Sequence, residues 1–349
     1  GEVLVNVLLA FTQFGFCVTY LIFLGNALGT ATGISVQYTI WMPLPFVMGC
    51  ALLPSVRKLS PLSFIANFAI LFGYIAVLSY ESRTFDHTAD YSWIRWETLP
   101  VFFGITVSSY EGIGTIIPIE SSMQGTRHLF KRLLDIALLV TTIILMSFGL
   151  IGYLRFGSGV KQIITQELPD DKVETKIMRI ALIVAITFTY PLQIYPVIQL
   201  MEKYTIFRGV AISHVKNAER TLSFQVRVVP SVDAAVHVWF PVQNNSENET
   251  WELTCSQVKL LRSCMRVGVV FCSGVVAHFT RHDFGYIASF VGSLGSSALA
   301  FVLPCVFHLK LFPATQWSKA KDIAICVFGI LGGAAGVGVT IRALVQHQN

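Results

Sequence analysis

The chain has 349 residues, 54% of them hydrophobic and only 13% charged. A soluble globular domain carries about 25% charge, so too few polar residues remain to cover a water-facing surface, and soluble enzymes and soluble binding modules are excluded. The formal net charge of +5 comes from basic residues at the ends of apolar runs, which is a membrane-orientation pattern and not a nucleic-acid footprint.

Nine spans are read in order, at 3–28, 38–54, 60–80, 100–119, 132–155, 177–201, 263–280, 284–309 and 321–345. At least five are long enough for the roughly 20 residues that cross about 30 Å of hydrocarbon. The expected fold class is therefore an all-α membrane protein, a multi-span helical bundle over 1–349. The first residues already lie in an apolar run with no basic stretch ahead of it, so no cleavable signal is expected. The chain opens on Gly1 and not Met, and is expected to begin inside a longer protein.

The first span carries Gln13 at membrane depth, within FTQFGF. Such a residue is either interhelical glue or a cavity group. The second span is short and holds Pro43, Pro45 and Pro54. In the fourth, the run VFFGITVSSYEGIGTIIPI places Glu111 near mid-membrane beside Gly112 and Gly114. An ionisable residue at that depth marks a site by default. The glycines weaken the helix, and an unwound turn frees peptide N–H and C=O groups for a polar ligand. The pieces suit a zwitterion: amides for its carboxylate, carbonyls and Glu111 for its ammonium, with Ser108 and Ser109 leaving room beside Tyr110. The plainer reading also stands, in which Glu111 is a structural acid bonded to a neighbouring helix and the glycines serve close packing.

The sixth span contains TFTYPLQIYP. Pro191 removes the bond to the Thr187 carbonyl and kinks the helix, leaving Thr189, Tyr190 and Gln193 near the kink as cavity groups or as packed polar residues. Small residues at 292–298 predict a tight helix interface. His278 and His308 fall at span ends and are expected at the membrane interface.

Between the sixth and seventh spans lies a long connection, 203–262, with sequons at Asn244 and Asn248. VRVV and AAVHVWFPV within it suit a small hairpin. Sixteen of the 25 Lys and Arg fall on one side of the spans, which makes that side, the amino terminus and the connection cytoplasmic. The sequons then go unmodified. The seven cysteines show no CxxC or Cys/His spacing, so no metal or cofactor is expected. GxSxG, HExxH and P-loop patterns are missing, and no catalytic residue is proposed.

At this point the motifs resemble a known family, the amino acid/auxin permeases, and most closely their proton-coupled amino acid transporter branch. YEGIGTIIPIESSM is similar to that family's sixth span, and GLIGYLRFG followed by ELP to the end of its seventh. TFTYPLQIYP resembles the eighth, SFVGSLGSSALAFVLP the tenth and FTQFGFCVTYLIFLGNAL the third. The resemblance implies an inverted-repeat transporter fold of eleven spans, broken at the first and sixth. It implies symport of small neutral amino acids with protons, among membrane lipids and without nucleic acid, at a plasma or a lysosomal/vacuolar membrane. Carried over, Ser108 through Gly114 form half of the substrate site, and Gln13 and the Thr189–Gln193 region face the same cavity. The nine spans correspond to the family's third to eleventh. The first broken helix and its proton-linked histidine have no counterpart here, nor do the cysteines of the lumenal disulfide found in some members. A fragment of a transporter is one expectation, and a non-transporting amino acid sensor that signals through the long connection is another.

Overall fold

The computed structural model describes every residue except 54–59, 82–91, 93, 113–115, 117–119, 121–122, 124–126, 160, 167–172, 219–254, 313–314 and 349. The elements of the described residues are helical. α1 spans Glu2–Thr32, α2 Val36–Thr39, α3 Leu44–Ala51, α4 Ser60–Glu81, α5 Leu99–Ser109 and α6 Phe130–Phe156. α7 spans Val173–Ala218, α8 Cys255–Phe279, α9 Phe284–Val291, α10 Leu303–Leu311 and α11 Gln316–Gln348. Between α9 and α10 the helix continues through two π-helical turns, Gly292–Ser296 and Ala298–Val302.

Among the described residues, six helices are long and apolar enough to cross a membrane, and two shorter apolar helices cover Phe64–Ser79 and Leu99–Ser109. Large apolar side chains on α4 and α6, among them Phe64, Phe68, Leu139 and Met146, are exposed. Such faces are a defect in water and a fit to lipid tails. The protein is an integral, multi-pass membrane protein.

α1 is the central rod, at 31 residues or about 46 Å. It stops at Gly33, whose φ of 73° is left-handed and whose N–H bonds the Gly29 carbonyl, a closure open mainly to glycine. Around its middle lies the largest buried cluster. Cys17, Leu21, Ile22 and Leu24 of α1 meet Leu44 and Val47 of α3, Tyr190 and Ile194 of α7, and Val270 of α8.

The expected second span is not one rod. α2 and α3 are separated by a turn at residues 40–43, and α3 is only eight residues long. Pro43 and Pro45 lack the N–H that a continuous helix needs, and their rings clash with the preceding turn. Arg266 of α8, 8% exposed, meets the end of α3, donating Nη1 to the carbonyls of Ala51 and Leu53 at 3.2 and 2.9 Å.

A second layer places α5 against α9, the first π turn and α11. As the small residues predict, this approach is close. A Cβ on Gly292 would fall on the Gly104 carbonyl, and one on Gly104 would strike Ser289 and Ser293. Hydrocarbon offers no hydrophobic drive between helices, so small residues that bring backbones together supply the contact.

Residues Met201–Met265 form a separate compact unit. It contains the end of α7 and the start of α8, where Arg262 and Glu202 lie 3.8 Å apart. The core of the long connection, with both sequons and the expected hairpin, lies outside the described residues.

Candidate functional site

α5 ends in mid-sequence of its expected span. Tyr110 is a turn residue, and Glu111 and Gly112 are non-helical. Two weakly placed bonds, Tyr110 N–H to Thr106 O and Glu111 N–H to Ser108 O, both at 3.3 Å, close the last turn. Ile116 is helical, and its N–H bonds the Gly112 carbonyl at 3.0 Å. The span expected at 100–119 is therefore interrupted at residues 110–112. The negative end of the α5 dipole faces the break, and Glu111 adds a carboxylate there. Both favour a cation such as an ammonium.

Beside the break lies a cavity of about 610 Å³, within the range of small-molecule sites. Ser108, Ser109 and Glu111 line it from the break and Gln193 from α7. Gln13 joins the last two: Gln193 Nε2 donates to Gln13 Oε1 at 2.5 Å, and Gln13 Nε2 donates to Glu111 Oε2 at 3.3 Å. The break, α1 and α7 are thus linked in a chain of hydrogen bonds that ends on one carboxylate.

The hydroxyls of Ser108 and Ser109 both donate back to the Ile105 carbonyl, at 2.7 and 2.8 Å. This leaves their lone pairs as acceptors toward the cavity. Other expected residues stand elsewhere. Tyr110 donates its hydroxyl to Thr142 of α6 at 2.8 Å. Thr189 bonds back to the Ala185 carbonyl. Tyr190 is fully buried, 2.6 Å from Ser273 of α8, and belongs to the central core. None of these three lines the cavity. Gly112 supplies its carbonyl to the resumed helix, and Gly114 lies outside the described residues.

Sequence reasoning passed over several wall residues. Phe16 and Tyr20 lie three and seven residues beyond Gln13 on α1, and Val101 and Ile105 precede Ser108 on α5. Helical spacing from Gln13 and from Ser108 leads to each of them. Gln162 gave no such signal, since it sits in a loop. Its Oε1 accepts from the Gly285 N–H of α9 at 2.9 Å, and both residues line the cavity. Among the described residues, no group of His, Cys, Asp and Glu could hold a metal ion.

A broken helix, a carboxylate bonded to Gln13 of α1, which Gln193 of α7 bonds in turn, and an adjacent cavity point to transport of a small polar solute. Comparison with known proteins agrees. A family profile described as transmembrane amino acid transporter protein matches residues 1–342. The chain is similar to amino acid transporter AVT3B of Arabidopsis thaliana, 27% identical over 99% of this chain and 76% of that protein. It is also similar to amino acid transporter AVT3A of the same plant, 29% identical over 100% and 72%. Vacuolar amino acid transporter 4 of Saccharomyces cerevisiae is 26% identical over 84% of this chain and 39% of its own length. The fold, the broken span and the extent of the match lead to one conclusion: the chain belongs to the transmembrane amino acid transporter family.

Proposed function

We propose that the protein is a secondary active transporter of small neutral L-amino acids, coupled to protons, in a vacuolar or lysosomal membrane. The observation that carries this is the carboxylate of Glu111 at a helix break on the wall of a cavity, tied to α1 and α7 through Gln13 and Gln193. The ammonium group meets Glu111 and the negative end of α5. The apolar wall formed by Phe16, Val101 and Ile105 faces an uncharged side chain and disfavours a charged one. Protons are the coupling ion of choice, because Glu111 is the one acidic residue among the described residues that line the cavity. The vacuolar assignment follows the names of the yeast relatives.

The experiment is uptake of radiolabelled alanine, glycine and proline into proteoliposomes, with and without an imposed pH gradient. The expected result is gradient-dependent accumulation. Glu111→Gln should lower the rate by about tenfold or more, the cost of one charge-assisted contact. Undiminished uptake by that variant would remove Glu111 from the mechanism, and uptake indifferent to the gradient would remove the proton.

A further inference from the structure

Gln13 does not stand as its partners do. Glu111 and Gln193 line the cavity, whereas Gln13 does not and is 6% exposed. Both ends of its amide are engaged, the oxygen by Gln193 and the nitrogen by Glu111. A glutamine amide has one acceptor end and one donor end. With the acceptor end taken by Gln193, only the N–H₂ end is left to meet the carboxylate. The two neighbours together therefore fix the orientation of Gln13.

The helix that carries it has little freedom to turn. A Cβ on Gly15 would strike Val291, and one on Gly295 would strike Thr12. Thr12 is itself fully buried, with its hydroxyl bonded back to the carbonyls of Leu8 and Leu9, both at 3.0 Å. Gln13 is thus clamped on either side in sequence against the helix of α9 and the first π turn.

We propose that Gln13 is a positioning residue and not a substrate ligand. It holds the Glu111 carboxylate at the cavity wall and ties the chain at the break to α1 and α7. Its effect on transport rests on the reading of the cavity given above, whereas its hold on the break does not. Gln193 serves it in turn by locking its amide, while keeping its own face on the cavity. Loss of Gln13 removes the bond from α1 to Glu111 without removing any group that meets the transported amino acid. The ammonium group is common to all substrates, so the loss weakens every substrate by the same factor.

The test uses the full chain in proteoliposomes. Gln13→Met keeps the length of the side chain and removes its polar end, and Gln193→Leu leaves Gln13 present but unlocked. Each is combined with Ser109→Cys at the break or with Thr19→Cys on the α1 wall. Labelling by a membrane-impermeant maleimide is followed above the parent protein's own background. In both backgrounds the Ser109→Cys rate should change several-fold and the Thr19→Cys rate should not. In uptake, Gln13→Met should raise KM by about tenfold, equally for glycine, alanine and leucine. Parental labelling at Ser109→Cys in both backgrounds overturns the proposal, as does a KM that changes for one substrate and not for the others. If Gln13→Met fails to fold, Gln193→Leu decides the labelling arm. Absence of uptake in the parent protein would count against the transport reading alone, because labelling still reports whether Gln13 holds the break.

Discussion

Arg266 carries a permanent charge into a setting where it is 8% exposed. It is kept there by carbonyls at the end of α3, a helix too short to satisfy them by continuing. A guanidinium presents five donors in a rigid fork and cannot neutralise itself. Its removal leaves several carbonyls without a donor in a region short of water. Arg266→Met should therefore lower the melting temperature of the detergent-solubilised protein, with a loss of about 1.5–3 kcal/mol. An unchanged melting curve would show that water already serves the α3 terminus. Tyr190 teaches a related lesson. The sequence leaves it either facing the cavity or packed between helices beside the proline, and its ring fills the core with its hydroxyl on Ser273. A phenol offers both a large apolar body and one polar tip, and nothing local distinguishes a tip that binds solute from one that binds a neighbouring helix.

At the scale of elements, the contact of α5 with the first π turn is among the tightest of the described residues. The π register widens the helix at Gly292–Ser296, and such turns concentrate at functional sites. Ser293 and Ser296 are buried there with hydroxyls that find no hydrogen-bond partner among the described residues. A buried hydroxyl left unpaired costs about 1–3 kcal/mol. Ser293→Ala keeps the Cβ and removes that cost, so its melting temperature should rise by about 2–4 °C. Gly104→Ala should do the reverse, because its Cβ would enter the space of Ser289 and Ser293. A Ser293→Ala protein that melts below the parent would show that this hydroxyl has a partner in the membrane.

At the scale of the whole molecule, the distribution of charge predicts an orientation. Sixteen of 25 basic residues fall on one side of the spans, and the signal is a count of Lys and Arg and not of net charge. The prediction puts that side, and both sequons of the long connection, in the cytoplasm. Protein expressed in a eukaryotic membrane should show no mobility shift on glycosidase digestion. A shift that Asn244→Gln and Asn248→Gln abolish together would reverse the assignment.

The sequence by itself determined that this is a helical membrane protein and roughly where its spans fall, and it offered a break beside Glu111 as one of two readings of the fourth. Those properties are local. Apolar length answers the thickness of the bilayer, and glycine beside a buried acid weakens the helix wherever it stands. The family resemblance was legible for the same reason, since it rests on contiguous motifs. Only the tertiary structure decided which polar residues meet. Gln13 and Glu111 are 98 residues apart, and Gln13 and Gln193 are 180. Each had a plausible partner in any neighbouring helix, so their pairing depends on how the rods dock. The same holds for the division of α2 from α3, for the π turns and for the entry of Gln162 into the wall. Each is fixed by packing across elements, where the energy of a contact depends on a neighbour that no local pattern names.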